Sequence, residues 1–182
     1  MPPNLGNQDQ FQQPLIQFVR IHDVYSPIFP KKVITAINLS RHTDIMRIWE
    51  DSVLATHHFL KPADFQLIRD LLQDSFPESV DLYGFFDEAG DMQAFMGIED
   101  RKIEMLFIAT AMRGKGIRRQ MMHYAMQQCN AIKVDVNEEN QQALAFYRHM
   151  GFEVKGRSAT DGMGKPYPLL HLELPGTDSA NH

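Results

Sequence analysis

The sequence predicts one domain of mixed α/β class, with its elements in the order β-α-α-β-β-β-α-β-α-β-β. The chain has 182 residues, of which 43% are hydrophobic, which suffices for one compact core and is too little for two. Short apolar stretches typical of strands alternate with longer stretches of helical periodicity, and no segment repeats. This alternation is typical of a mixed α/β domain.

The first 31 residues differ in composition from the rest of the chain. They are rich in proline and glutamine and contain one short apolar run, residues 15–21. This composition disfavours a helix, so residues 1–31 are predicted to be a partly mobile extension whose apolar run packs on the domain or holds a partner. The domain is predicted to cover residues 32–174, and residues 175–182 form a C-terminal tail.

Two helices are predicted in the first half of the domain. Ser40 can cap the first, which ends near His58, and Pro62 stands in the first turn of the second. Apolar residues repeat with the helical period, so one side of each helix is expected to face the core. The inward residues are Ile45, Ile48, Trp49, Ser52, Val53 and Thr56 in the first helix, and Phe65, Ile68, Leu71 and Leu72 in the second.

Seven strands are predicted from short apolar segments. Residues 87–91 form a tight turn between the second and third strands, in which a glycine supplies the backbone angle, and this indicates a hairpin. The last two strands are joined by a longer loop. The strands are residues 33–38, 80–86, 92–98, 102–108, 131–136, 152–158 and 168–174.

A basic, glycine-rich turn, Arg113-Gly-Lys-Gly116, follows the strand at residues 102–108. Its glycines let the backbone approach a ligand closely, and the helix from Gly116 to about Gln128 begins with unpaired amides. Such a helix start attracts anions, so a phosphate site is predicted there, the alternative being an ordinary turn with solvated charges. The amides belong to Gly114, Lys115, Gly116, Ile117 and Arg118.

A second strand-to-helix junction begins at Asn137. This residue can cap a helix that carries two glutamates in its first turn and stops at Gly151, which suits a left-handed cap. Asn140 and Tyr147 are seven residues apart, or two helical turns. Their side chains therefore face one side of the helix and can line one groove.

The two junctions resemble motifs of the GNAT superfamily of acyl-CoA-dependent N-acyltransferases. Arg113-Gly-Lys-Gly116 resembles the start of its R-x-x-G-x-G/A coenzyme A loop, and Asn140-x-x-Ala-x-x-Phe-Tyr147-x-x-x-Gly-Phe152 resembles its second signature. The resemblance spans residues 33–174 in element order and implies a central, mostly antiparallel mixed sheet flanked by helices. It also implies acetyl-CoA as co-substrate. Residues 52–60 and 164–170 are similar to a small bacterial acetyltransferase of this family.

One position departs from the family pattern. Arg118 stands where the family has a small residue close to the pyrophosphate. Its amide remains available, so coenzyme A binding is expected to be retained. The side chain is expected either to turn outward toward a phosphate or to crowd the site.

The resemblance implies roles for residues near the two motifs. Backbone groups of Phe107 and Ile108 would hold the pantetheine arm and polarise the thioester carbonyl, and Asn140 would line the coenzyme groove. Tyr147 would donate a proton to the leaving thiolate, since the reference pKa values of a phenol and a thiol, about 10 and 8.5, are close enough for transfer. A core tyrosine packed against Phe152 is the alternative.

Two residues are candidates for the general base. Glu104, on the strand at residues 102–108, can deprotonate the amine through a water if it is partly buried, or it is a paired structural carboxylate. His57, at the end of the first helix, has a reference pKa of about 6.5 and lies where the resemblance places the acceptor, or it is a packing residue. The acceptor pocket is expected to be walled by Trp49, Phe59 and Tyr167.

Composition excludes several other classes. The formal net charge of −5 disfavours a nucleic-acid-binding surface. No apolar run reaches the roughly 20 residues that span a membrane, and no signal peptide precedes the domain, so a cytoplasmic protein is expected. A lone Cys129, expected to be a buried structural thiol, excludes a disulfide and a cysteine zinc site, and no metal is predicted.

Two functions remain after these exclusions. The first is transfer of an acetyl group to a primary amine, either a small molecule or an amine of a peptide or protein, by a monomer or homodimer. The second is a non-catalytic acyl-CoA sensor or protein-interaction module, which the departure at Arg118 and the N-terminal extension favour. A nucleotide-phosphate protein is disfavoured, since the loop lacks both the Gly-Lys-Ser/Thr and the three-glycine patterns.

Overall fold

The computed structural model describes residues 32–76 and 79–176. The predicted N-terminal extension, and all but two residues of the predicted C-terminal tail, lie outside these ranges. The described helices and strands follow one another in the predicted order. They are β1 (Val33–Ile37), α1 (His42–Thr56), α2 (Pro62–Asp74), β2 (Asp81–Phe86), β3 (Met92–Glu99), β4 (Lys102–Ile108), α3 (Ile117–Gln128), β5 (Lys133–Asn137), α4 (Gln141–His149), β6 (Glu153–Ser158) and β7 (Leu169–Glu173).

The strands form one sheet with the order β1-β2-β3-β4-β5-β7-β6. Every neighbouring pair is antiparallel except β4 and β5, which run parallel. The predicted mixed, mostly antiparallel sheet is therefore confirmed. The parallel pair is joined only at Lys102 with Lys133 and at Ile103 with Val134. Beyond these positions the two strands are no longer paired, which leaves a gap in the middle of the sheet.

Each face of the sheet carries its own apolar core. On one face, residues such as Ile103 and Val134 pack against the buried side of α3 and α4, including Met121. On the other face, Phe95 and its neighbours pack against α1, including Ile45. Each fully buried side chain of this size contributes about 1.5–3 kcal/mol to folding. The two cores thus hold helices on both sides of the gap between β4 and β5.

The starts of two helices differ from the prediction. Ser40 does not cap α1: the Asn38 side chain accepts a hydrogen bond from the Ser40 amide at 2.9 Å and caps a short 3-10 helix, and α1 follows from His42 without a side-chain cap. Asn140, not Asn137, caps α4, because its side-chain oxygen accepts from the amide of Ala143 at 3.1 Å. The two glutamates predicted in the first turn of α4 therefore precede the helix.

Helix α2 is less buried than its periodicity predicts. Phe65, Ile68 and Leu72 are half-buried against α1 and the sheet, but Leu71 is 48% exposed, so its prediction as an inward residue is wrong. When only one face of a helix is covered, apolar residues at the edge of that face remain exposed to solvent. None of the helices in the described ranges is long and apolar enough to cross a membrane.

Candidate active site

The glycine loop, residues 113–118, connects β4 to α3. Gly114 and Gly116 have left-handed backbone angles, φ 75° and 77°. An added Cβ would meet no atom within 4 Å at either position, so the backbone angle, not crowding, requires glycine there. Gly116 is the N-cap of α3 and no side chain caps this helix end. The first amides of α3 are therefore available to an anion.

Basic side chains surround the glycine loop. Arg113 donates a hydrogen bond to the side-chain oxygen of Gln142 at 2.9 Å, which ties the loop to α4. The Lys115 ammonium contacts the sulfur of Met112 at 3.3 Å. A cavity of about 310 Å³ lies against this loop, and of the residues predicted to bind the cofactor, those lining it are Ile108, Arg113, Gly114, Gly116, Ile117 and Arg118.

A second cavity, the interstrand groove, occupies the gap between β4 and β5. It has a volume of about 150 Å³ and is lined by residues 103–107 of β4 and 134–137 of β5, with α1 and α4 contributing from either face. The backbone edge of β4 that faces this groove lacks a partner strand beyond Ile103. Six predicted site residues line the groove together: Tyr147, Glu104, His57, Phe107, Arg118 and Asn140.

Tyr147 lies at the α4 side of the interstrand groove and is 7% exposed. Its ring packs edge-on against Phe146 and Phe152, with ring centroids 5.3 and 6.0 Å away. Burial raises the pKa of the phenol to about 12, although the charge of Arg118 acts in the opposite direction. The hydroxyl therefore carries its proton at neutral pH and can donate it. Tyr147 is therefore both packed in the core and part of the lining of the groove.

Arg118, the position that departs from the family pattern, turns inward. Its guanidinium carbon lies 5.2 Å from the centroid of the Phe146 ring, and the side chain lines both the interstrand groove and the cavity at the glycine loop. Burial lowers its pKa, and the neighbouring Tyr147 opposes this effect. The sequence allowed a side chain turned outward toward a phosphate or one that crowds the site, and in the structure the side chain points into the site.

His57 lies where α1 ends, and its hydrogen bonds define its tautomer. The Thr56 hydroxyl donates to the backbone oxygen of Ser52 at 2.7 Å, and the same hydroxyl oxygen lies 2.8 Å from Nδ1 of His57. Because the hydroxyl proton is used by Ser52, Nδ1 must be the donor in the second bond. The neutral ring thus holds its proton on Nδ1, and Nε2 carries the free lone pair.

The surroundings of His57 keep it uncharged. Its ring lies between those of Phe59 and Phe107, with centroid distances of 5.3 and 6.2 Å. Burial, together with smaller electrostatic effects of His58 and Arg118, lowers its pKa to about 4. At neutral pH the imidazole is therefore a neutral hydrogen-bond acceptor that faces the groove.

Glu104 is held by an ion pair. Its carboxylate lies 3.1 Å from the ammonium of Lys102, which is also 2.8 Å from Asp135 on β5. Asp135 in turn accepts a hydrogen bond from Nδ1 of His171, 2.7 Å away on β7. Sequence reasoning missed Asp135 and His171. The only sequence signal was the alternation of apolar and polar residues in Lys133-Val-Asp-Val-Asn137, which gives this short strand one polar face.

A third cavity, the aromatic cavity, adjoins the groove on the α1 and α2 face of the sheet. It has a volume of about 260 Å³, and the three predicted wall residues, Trp49, Phe59 and Tyr167, line it together. The Tyr167 hydroxyl donates to Asp64 and accepts from the amide of Lys61 at 3.1 Å, which fastens this wall to α2. Four residues line both the aromatic cavity and the interstrand groove: His57, Phe107, Asp135 and Asn137.

The described residues 32–76 and 79–176 contain no group of three histidine, cysteine, aspartate or glutamate side chains placed to hold a metal ion. The groups available at the site are the uncapped amides of the glycine loop, a buried phenol, a neutral imidazole and the carboxylate of Asp135. A helix start with uncapped amides thus lies beside a groove between two parting strands, and that groove has a buried phenol on one face and a neutral imidazole on the other.

Comparison with known proteins identifies the family. The chain belongs to the GNAT family of acetyltransferases, whose model, described as an acetyltransferase (GNAT) domain, matches residues 73–163. Peptidyl-lysine N-acetyltransferase YjaB of Salmonella typhimurium is 38% identical over 142 residues, which cover 76% of this chain and 97% of that protein. YjaB of Escherichia coli strain K12 is 36% identical over 147 residues, covering 79% and 99%.

A solved structure confirms the fold assignment. The solution structure of apo-form YjaB from Escherichia coli superposes with a TM-score of 0.72 and 35% identity, covering 79% of this chain and 97% of that one. The similarity to a small bacterial acetyltransferase predicted from the sequence is thus confirmed. The chain is an acyl-CoA-dependent acetyltransferase of the GNAT family.

Proposed function

We propose that this enzyme transfers the acetyl group of acetyl-CoA to a primary amine by direct attack of the amine on the thioester. The observation that carries the proposal is the junction of two cavities at His57, Phe107, Asp135 and Asn137. A thioester in the interstrand groove and an amine in the aromatic cavity would meet at this junction. The reaction would then need no covalent enzyme intermediate.

The coenzyme binds, in this proposal, along the path from the glycine loop into the groove. Its pyrophosphate receives hydrogen bonds from the amides of residues 114–118, with Arg113 nearby as a positive charge. The pantetheine arm pairs with backbone groups of Phe107 and Ile108, since the β4 edge there faces no partner strand. Asn140, whose side chain caps α4, lines the same path.

Two side chains on opposite faces of the groove divide the proton transfers. Once the amine nitrogen bonds to the carbonyl carbon it becomes strongly acidic, so the weakly basic Nε2 of His57 is able to remove its proton. Tyr147 donates its proton to the sulfur as the carbon–sulfur bond breaks. An acceptor that binds as an ammonium first loses one proton to solvent, and the proton that His57 later takes returns to Tyr147 by way of solvent, so each turnover releases one proton. Glu104, held by Lys102, is the weaker candidate for the base.

The acceptor in this proposal is the side-chain amine of a peptidyl lysine. The names of the two YjaB relatives support this class, and their similarity extends over almost their whole length. The aromatic cavity supports it as well, because its walls are apolar enough to cover the methylene groups of a lysine side chain.

Thiol release measured with acetyl-CoA and a panel of amines tests the proposal. Saturable binding of acetyl-CoA and amine-dependent release of coenzyme A are the expected results. A protein that shows no saturable binding of acetyl-CoA would contradict the assignment. Acetyl-CoA bound without any amine-dependent release would instead favour the acyl-CoA sensor, which the inward position of Arg118 makes the competing function.

A further inference from the structure

A cluster of charged side chains lies where β4 and β5 part. Ile103 and Val134 are the last paired residues, so Glu104 and Asp135 are the first residues past the pairing on their strands. The Lys102 ammonium bridges their carboxylates, at 3.1 Å from Glu104 and 2.8 Å from Asp135. Two carboxylates and one ammonium leave this triad with one net negative charge.

Asp135 has hydrogen-bonding capacity to spare. Burial acts to raise its pKa, but the hydrogen bonds from Lys102 and His171 outweigh it and lower the pKa, so the carboxylate is ionised at neutral pH. One oxygen accepts from His171 and the other from Lys102. An ionised carboxylate has about four acceptor sites. Two of them therefore remain for a ligand.

Asp135 lies next to the cavity proposed for the acceptor. It lines both the interstrand groove and the aromatic cavity, whereas Glu104 lines only the groove. Among the described residues that line the aromatic cavity, none is lysine or arginine, and the carboxylates are those of Asp135 and Asp161. One oxygen of Asp161 is already used by the amides of Met163 and Lys165 in its own turn.

The aromatic cavity has walls that suit a cation on an aliphatic chain. The rings of Trp49, Phe59, Phe107 and Tyr167 line it, and aromatic faces attract an ammonium group. The neutral His57 at the junction does not repel a positive ligand. The cavity therefore combines mostly apolar walls with the carboxylate of Asp135, which it shares with the interstrand groove.

We propose that Asp135 anchors the positively charged amine of the acceptor at the junction of the aromatic cavity and the interstrand groove, and so selects acceptors with a primary ammonium on an unbranched aliphatic chain. This inference rests on the proposed function and names its specificity-determining residue. A hydrogen bond from the amine to Asp135 holds the nitrogen in place. After the bound ammonium loses one proton to solvent, this hydrogen bond leaves the nitrogen lone pair free to point at the thioester.

Two acceptors that differ only in charge test the proposal with Asp135→Asn. One is an Nα-acetylated lysine amide, and the other is its isostere with oxygen in place of the methylene next to the nitrogen, which is uncharged at neutral pH. Asp135→Asn should raise KM for the lysine compound about tenfold or more, because a partly buried charge pair is lost. KM for the uncharged isostere should change less than about twofold.

Controls separate this effect from folding and from coenzyme binding. Asp74→Asn removes the same charge from an exposed position of α2 and should leave both KM values unchanged. Acetyl-CoA affinity and the thermal unfolding midpoint of Asp135→Asn report whether its fold is intact. If this variant does not fold, the unaltered enzyme still tests the proposed selection of a charged acceptor. It should bind the lysine compound about tenfold more tightly than the isostere.

Equal changes in KM for the two acceptors, or no change in either, would overturn the role of Asp135. Equal affinity of the unaltered enzyme for the two compounds would overturn it as well. If the unaltered enzyme acetylates neither compound, the proposed function fails instead. Titration calorimetry with the lysine compound would then still show whether binding depends on Asp135.

Discussion

The coenzyme side and the acceptor side of this site are built in different ways. The coenzyme side comes from one continuous stretch, residues 103–119, and the helix α4 that follows the next strand. In the proposed function, its main contacts with the coenzyme are backbone amides at a helix start, whose availability depends on two glycine angles. The acceptor side combines side chains from α1, the α1–α2 connection, β4, β5 and the β6–β7 loop. Its properties depend on side-chain identity.

This difference leads to different expectations for substitutions on the two sides. Backbone amides bind a pyrophosphate whatever the neighbouring side chains are. A carboxylate such as Asp135, or a ring such as Phe59, changes with a single substitution. Changes on the coenzyme side are therefore expected to lower coenzyme affinity for every acceptor, and changes on the acceptor side to alter the choice of acceptor.

The largest effect is expected at Tyr147, the residue of the coenzyme side to which the proposed function gives a proton transfer. Tyr147→Phe keeps the buried ring and removes the proton donor, so kcat should fall about 10³-fold. The affinity for acetyl-CoA should change less than about twofold, because the ring packing is retained. Steady-state thiol release and titration calorimetry measure the two quantities. An unchanged kcat would remove Tyr147 from the chemistry.

A large effect is also expected on acid stability, through His57. Its pKa in the folded protein, about 4, lies below the usual value of 6.5, so between these values the unfolded chain binds a proton that the folded chain does not. Stability is therefore lost as the pH falls from 6.5 to 4, by about 3 kcal/mol for a shift of this size. Urea unfolding across this range should show a weaker pH dependence in His57→Gln.

The matched control is His123→Gln, which removes an exposed histidine from α3. The same pH dependence in His57→Gln and the unaltered protein would show that His57 is not held neutral.

A smaller effect on kcat is expected when the same histidine, His57, is replaced. His57→Gln removes the basic nitrogen and should lower kcat about 100-fold with a lysine acceptor. The coenzyme affinity should stay the same, because His57 lies at the acceptor end of the groove. Glu104→Gln is the comparison that decides between the two candidate bases. A larger loss in Glu104→Gln than in His57→Gln would assign the base to Glu104.

The smallest of these effects is expected at the glycine loop. Gly116→Ala forces a side chain into a left-handed conformation, which costs about 1–2 kcal/mol and should weaken acetyl-CoA binding about tenfold. The preference between acceptors should not change. Gly90→Ala is the control, since Gly90 has φ 85° in the β2–β3 turn and lines neither the interstrand groove nor the cavity at the glycine loop. An equal loss of acetyl-CoA affinity in both variants would contradict the role of the loop.

The sequence alone singled out the glycine loop and Tyr147 but not Asp135 and His171, and the reason is distance along the chain. The glycine loop and Tyr147 belong to contiguous motifs, whose backbone geometry follows from nearby residues. Asp135 and His171 are 36 residues apart and become neighbours only because β5 pairs with β7. Such contacts between residues distant in sequence have no local signature.

The choice between Asn137 and Asn140 as helix cap shows the same limit on a smaller scale. Both asparagines precede the helix and either is able to cap it. In the structure the amide of Glu138 donates to the backbone oxygen of Pro168 at 2.9 Å, which holds this segment against the start of β7. The helix therefore begins later, at Gln141. Tertiary pairing decides a boundary that local propensity leaves open.

A crystal structure of the enzyme with coenzyme A tests the central claim, that the coenzyme and acceptor sides meet at the junction of the two cavities. The account predicts the pyrophosphate on the amides of residues 114–118. It also predicts the sulfur within about 3.5 Å of the Tyr147 hydroxyl, at the end of the groove that opens toward His57 and Asp135. A coenzyme whose sulfur lies away from this junction, or whose pyrophosphate is displaced from the loop by Arg118, would contradict it.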